Sequence, residues 1–408
     1  MFAAIKDGQW VNISRIKAVS AMMMTATILM VSFLLLTAHG TVDQFGRPLG
    51  TDFSNVWTAG HMALQGQAAD AWDWASHFAV QRATHDDPDV PVYGWHYPPP
   101  FLLVAATLAK LPYIPALIIW QVTTLGLAVI TLRAILPEKT ALLAGLGFPV
   151  VLICLGHGHN GFLTGALFGG GLLLLDRRPL IAGLLLGCVI YKPQFGLVLP
   201  VILLLGGHWR AIGGALLSAT LLCGLTLAIW GWPVWQAFLD SLPLTQSIVI
   251  EQGSTGWEKI LSAFSAVRNW GGSVPIAWAV QTIVTLMAII GAAVVARRTS
   301  SPVRNAVILS AALLSTPYVL DYDLIPLGMA LAFLVVDGRA RGFLACEKTI
   351  YALIWIAPLF GRAVTSGTTI PLGFIVIAAT FILAMRRAVI LDRVTAWPFR
   401  HLHEPSAL

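Results

Sequence analysis

The side chains able to do chemistry in this 408-residue chain stand in short polar breaks between long apolar runs. The first break holds Asp52, just ahead of a stretch of mixed apolar and polar residues from about 54 to 66, with a second such stretch from about 70 to 83. That mixture predicts helices lying on a membrane surface, where Trp57, Trp72 and Trp74 suit the headgroup level. A carboxylate held there can accept a proton from a hydroxyl nucleophile while a substrate's lipid tail stays in the bilayer. The other reading is that Asp52 caps the helix beginning near Ser54.

Four more breaks follow. His96 and Tyr97 stand at the depth of Asp52 and either face it or are plain interfacial residues; the prolines after them, Pro98 to Pro100, suit a helix start. His157, His159 and Asn160 interrupt another apolar region, but no carboxylate accompanies the two histidines and no metal site is expected. Lys192, followed by Pro193 and Gln194, lies in the middle of an apolar stretch, where a charge is costly unless it pairs or faces water. A bound phosphate would be a suitable partner, and snorkelling to the interface is the alternative. Tyr318, Asp321, Tyr322 and Asp323 form the last break, whose two carboxylates either bind sugar hydroxyls or cap the next helix. Asp86, Asp87 and Asp89 surround Pro88 and read as a solvated turn.

The elements that must position these groups are membrane helices. Hydrophobic residues make up 57% of the chain and charged residues 11%, against about 25% charged in an ordinary soluble domain. The apolar runs are roughly 15 to 23 residues long, the length that crosses about 30 Å of hydrocarbon as a helix. The net charge of +6 comes from basic residues scattered in pairs, with no continuous stripe for nucleic acid. Four cysteines without CxxC spacing indicate neither a disulfide framework nor zinc.

The run from Ala18 to Ala38 is too long for a signal peptide and reads as a first transmembrane helix starting in the cytoplasm. Basic clusters at Arg177 and Arg178, His208 to Arg210, Arg297, Arg298 and Arg304, Arg339 and Arg341, and Arg386, Arg387 and Arg393 should face the cytoplasm. Later spans then fall at about 211–231, 274–296, 304–317, 323–336, 348–362 and 370–388, with both termini inside. Between Tyr97 and Arg177 four apolar segments (about 98–111, 114–135, 140–156 and 160–175) occupy a region that needs an odd number of crossings, so one of them must be broken, re-entrant or merged. The stretch 180–206 reads as a short helical hairpin with Lys192 at its outward tip. The expectation is a single transmembrane domain, 1–408, in the inner (plasma) membrane, with outer loops at 39–97 and 232–273. The polar pieces gather on that outer face, where a site would form.

The motifs Thr51-Asp52-Phe53 with Trp57-Thr58-Ala59-Gly60, Trp95-His96-Tyr97-Pro98-Pro99, Gly158-His159-Asn160-Gly161, Tyr191-Lys192-Pro193-Gln194, and Thr316-Pro317-Tyr318 with Asp321-Tyr322-Asp323 occur in an order that resembles glycosyltransferase family 87. The resemblance spans roughly residues 50 to 330. It implies an all-α polytopic protein of the GT-C class, a bundle of about 11–13 transmembrane helices with interfacial helices in its first extracytoplasmic loop. It also implies a polyprenyl-phosphate-linked sugar donor, mannose foremost, inversion at the anomeric carbon, and a glycan or glycolipid acceptor met at the membrane lipid.

Asp52 matches the family's essential aspartate, and His159 stands where a glutamine often precedes the family's asparagine. On that reading Asp52 is the general base, Lys192 the first candidate and Arg268 the second for the departing phosphate, and Trp57 and Tyr97 the sugar platform. His96, His159, Asn160, Gln194, Tyr318, Asp321 and Asp323 complete the expected substrate contacts, and neither metal nor cofactor is required. A lipid-linked glycan ligase and a transporter or flippase are the alternatives; a ligase would want an arginine- and histidine-rich outer loop, whereas 232–273 offers Lys259 and Arg268.

Overall fold

In hydrocarbon every backbone N–H and C=O must find a partner within the protein, and helices satisfy that locally. The computed structural model describes residues 2–297, 299 and 301–395; Arg298, one of the expected orienting residues, lies outside them. The described residues form helices joined by loops and turns, with isolated bridges but no strand. Six helices are long and apolar enough to cross a membrane: Ile13–Leu36, Tyr113–Ile135, Trp209–Trp230, Val274–Val295, Glu347–Thr368 and Leu372–Ile390. A seventh span arises if Lys139–Leu146 and Pro149–His157, bent by 49°, are taken together. Outward-facing side chains such as Val122, Ile130, Leu216 and Leu221 are more than half exposed, as expected where the solvent is lipid. The chain is an all-α polytopic membrane protein.

Four shorter apolar helices accompany these, Gly161–Leu174, Pro179–Tyr191, Pro193–Gly206 and Ser301–Leu314. Fourteen residues of helix rise about 21 Å, less than the hydrocarbon thickness, so the expected 11–13 crossings are reached only by counting helices that need help from their flanks. Ser301–Leu314 is buried on every side from Val303 to Leu314 and forms the centre of the bundle. Its C-terminal end delivers Thr316 to Asp323 to one end of the molecule.

The four apolar segments between Tyr97 and Arg177 resolve in physical terms. The first, helix Pro100–Leu108, has 9 residues and packs along helix Thr51–Leu64. Both its ends stay in one layer: the Tyr97 carbonyl accepts from Trp72 Nε1 at 3.1 Å, and the Leu111 carbonyl accepts from Trp57 Nε1 at 3.0 Å. It therefore never crosses. The next three segments run between the two ends of the bundle. Tyr113 begins beside Leu49, donating its hydroxyl to that carbonyl at 2.7 Å, and Glu138 at the far end of that helix pairs with Arg339. The bent pair returns to His157, and Gly161–Leu174 runs back to Asp176, which accepts from Arg304 at 2.8 Å. Of these three, Tyr113–Ile135 is long enough to cross a membrane alone, and the bent pair is so only if its two helices make one span.

Residues 179–206 leave and return on one side. Arg178 precedes the first arm, and Gly207 after the second lies against Arg297. At the tip, Lys192 adopts a non-helical backbone between two 3-10 turns. The first arm fits closely against Trp209–Trp230 because both carry glycines there; a Cβ on Gly183 would stand 2.0 Å from the Ala211 carbonyl oxygen.

Candidate active site

A cavity of about 570 Å³ opens at the end of the bundle that holds the first loop, and all five polar breaks contribute to its wall or its backing. The loop is stapled in place by its own polar groups. His85 joins the Ser54 hydroxyl (2.7 Å) to the Thr41 hydroxyl (2.7 Å), and Gln81 exchanges two hydrogen bonds with the Tyr93 backbone, at 2.6 and 3.1 Å. Helix Thr51–Leu64 is held within the protein, with 10 of its 14 residues buried, a closer enclosure than its mixed apolar and polar sequence suggested.

Gly50, in the left-handed conformation at φ 64°, is the N-cap of this helix, and no side chain caps it. A Cβ at Gly50 would stand 2.7 Å from Leu117, so the chain can approach the Tyr113–Ile135 helix this closely only with glycine here. Asp52 thus occupies the first turn and is free of capping duty. Its carboxylate faces the cavity with side-chain exposure of 15%, and Oδ2 is buried without a hydrogen-bond partner. Burial raises its pKa; His157 and the Tyr322 hydroxyl oppose that rise, Asp321 adds to it and Lys192 opposes it. The helix N-terminus gives the charge further support.

His157 approaches Asp52 Oδ2 through Nδ1 at 3.8 Å. Its Nε2 meets Arg362 Nη2 at 2.8 Å and its Nδ1 meets the Thr51 hydroxyl at 2.7 Å. Arginine has donors only, so Nε2 must accept and the ring proton sits on Nδ1, on the side of Thr51 and Asp52. Arg362 is fixed in turn by Asp321, through Nε to Oδ2 and through Nη2 to Oδ1 at 3.0 Å. The chain Asp321, Arg362, His157 and Thr51 therefore sets one wall beside the carboxylate.

The second wall centres on His159, which stacks on Tyr322 with ring centroids 3.6 Å apart and meets the Tyr97 hydroxyl at 3.1 Å. Asn160 does not line the cavity; its amide is 2% exposed and lies within hydrogen-bonding reach of the Tyr97 hydroxyl. Lys192 lines the cavity, but its ammonium donates to Asp323 Oδ1 at 2.5 Å, both groups being buried. Asp323 also accepts from the Leu320 backbone at 3.2 Å, so it does cap locally while it neutralises the lysine. Gln194, Tyr318 and Asp321 line the same cavity. His96 lines it too and meets the Thr245 hydroxyl at 3.0 Å; burial lowers its pKa to about 4 and keeps it neutral.

Two expected contacts lie elsewhere. Trp57 follows Asp52 by five residues, which at about 100° per residue puts it some 140° around the helix. It stacks on His61 at 5.1 Å and donates to Leu111, away from the cavity. Arg268 donates to the Glu251 and Gly272 carbonyls and covers the Trp257 ring, which makes it a brace of the outer loop.

Several cavity residues escaped the sequence reading, Asn55, Arg362 and Thr255 among them. Asn55, one turn after Asp52 on the same helix face, lines the cavity with a buried, unpartnered Oδ1; its spacing was the available signal. Arg362 is a lone charge at the end of an apolar run, a position that should have raised the question of a partner. Thr255 sits in a loop whose sequence carries no such contrast, and Lys259 was read there only as one of the loop's two cations.

No curated protein and no solved structure matches the chain. A profile of glycosyltransferase family 87 matches residues 95–320, more than half of the 408 residues, and takes in His96, Tyr97, His159, Lys192 and Tyr318 from the cavity while beginning downstream of Asp52. The chain belongs to glycosyltransferase family 87, a family of membrane glycosyltransferases.

Proposed function

We propose that this glycosyltransferase takes its sugar, mannose foremost, from a polyprenyl-phosphate donor and transfers it with inversion to a glycan or glycolipid acceptor on the extracytoplasmic side of the inner (plasma) membrane. The observation that carries the reading is Asp52, a buried carboxylate with one unpartnered oxygen in the wall of the cavity at the end of the bundle that holds the first loop. A base of this kind takes the proton of an acceptor hydroxyl as its oxygen bonds to the anomeric carbon, while the bond from that carbon to the phosphate oxygen breaks on the opposite face. Phosphate leaves without protonation by the enzyme, so one carboxylate suffices. Asn55, Tyr97, His159 and Tyr318 supply hydroxyl-binding groups around it, and the ion pairs Lys192 with Asp323 and Arg362 with Asp321 hold that wall rigid.

Asp52→Asn tests this directly. Transfer from a polyprenyl-phosphate donor in reconstituted membranes should fall by about 100-fold or more, the range a positioned base contributes. Because burial already disfavours the charged form, the neutral amide should leave thermal unfolding unchanged or slightly raised. Wild-type turnover in Asp52→Asn would end the assignment.

A further inference from the structure

Three cationic side chains line the cavity among the described residues, Lys192, Lys259 and Arg362. Two of them are neutralised in place, Lys192 by Asp323 and Arg362 by Asp321. Lys259 is not: among the described residues no carboxylate lies within ion-pair distance of its ammonium. It is half-buried, near enough to His157 to act on it electrostatically, and its backbone is fixed. Its N–H donates to the Gly256 carbonyl at 3.1 Å, and the next residues pair with the opposite wall, Ile260 bridging to Leu320 and Leu261 donating to the Val319 carbonyl at 2.8 Å.

The turn that carries Lys259 holds a second unmet group. Gly253 and Gly256 have positive φ, and between them Thr255 turns its hydroxyl into the cavity wall, where Oγ1 is buried and has no hydrogen-bond partner. A buried hydroxyl without a partner costs free energy unless a ligand satisfies it. A hydroxyl and an uncompensated ammonium on one tight turn, opening on one cavity, suit an anion with several acceptor oxygens.

We infer that the turn 253–259 is the phosphate subsite, with the Lys259 ammonium and the Thr255 hydroxyl holding the phosphate of a lipid-linked sugar donor. The inference rests on the transferase reading. The donor is a phosphodiester with one negative charge; when the acceptor oxygen bonds to the anomeric carbon and its proton passes to Asp52, the breaking bond's electron pair goes to the phosphate oxygen, and a prenyl monophosphate with two charges departs. The charge gained in that step needs a cation not already spent, and Lys259 supplies it.

Direct binding tests the subsite without relying on turnover. Detergent-solubilised full-length protein is titrated with farnesyl phosphate, with inorganic phosphate as competitor. Lys259→Met should lose about tenfold or more in affinity, the least expected for a lost charge-assisted hydrogen bond. Lys259→Arg should retain binding, Thr255→Val should lose a smaller factor, and inorganic phosphate should compete in wild type. Unchanged affinity in a folded Lys259→Met, or competition by farnesol as strong as by inorganic phosphate, would overturn the subsite while leaving the Asp52 result standing. Lys259→Gln serves if the Met variant does not fold, and unchanged affinity in it would overturn the assignment in the same way.

Discussion

At the scale of single residues, the question is which groups are charged when a substrate arrives. Asp52 works as a base only when ionised, and burial holds its carboxyl above the ordinary value of 3.8. Transfer, measured as kcat/KM of the reconstituted protein, should rise with pH through an acidic limb above that value. The His157 N–H directed at the Asp52 side favours the ionised form, so His157→Ala should move this limb higher still and lower the plateau. A limb at or below 3.8 in wild type would mean that the rate reports some other group. Much of this site was legible because polar residues in an apolar chain are conspicuous: Asp52, His96, Tyr97, His159, Lys192, Gln194, Tyr318 and Asp321 all line one cavity. What could not be read was pairing. That Lys192 spends its charge on Asp323, and Arg362 on Asp321, depends on approaches across 131 and 41 residues that no local pattern announces.

At the scale of elements, the Asp52 carboxylate is placed by how closely its helix approaches helix Pro100–Leu108. A Cβ on Gly60 would stand 2.0 Å from the Ala105 carbonyl oxygen and 2.3 Å from its carbon, and backbone cannot yield as a side chain does. Gly60→Val should therefore push the two helices apart at a cost of about 1–3 kcal/mol and carry Asp52 out of register with His157. Melting temperature and transfer rate are expected to drop together. Gly126→Ala is the control, since a Cβ there meets nothing within 4 Å. A Gly60→Val protein with normal melting and turnover would show that the contact does not position the site. The apolar count alone does not say which of the four segments between Tyr97 and Arg177 is the exception; the nine-residue helix Pro100–Leu108 and its pairing with the Asp52 helix are tertiary facts. Trp57 went astray for a related reason, since sequence proximity to Asp52 is not a shared helix face.

At the scale of the whole molecule, charge is divided between two ends. One end carries the cavity. The other carries ion pairs that close it off: Arg387, fully buried, donates to Asp337 and Glu347 at 2.5 Å each and to the Gly342 carbonyl at 2.7 Å, while Arg304 holds Asp176. The all-α membrane class was legible from composition and run length, because both follow from the cost of moving charge through hydrocarbon, and the basic clusters carry an expectation of orientation on the same ground. The same rule predicts sidedness. In a variant whose four cysteines are replaced by serine, a cysteine at Phe45, 60% exposed in the first loop, should react with a membrane-impermeant maleimide on intact cells. A cysteine at exposed Arg177, at the opposite end, should react only after permeabilisation. The reverse pattern would put the cavity on the cytoplasmic side, where soluble nucleotide-sugars are available, and would remove the reason for a lipid-linked donor; labelling of both positions on intact cells would mean that the chain does not hold a single orientation.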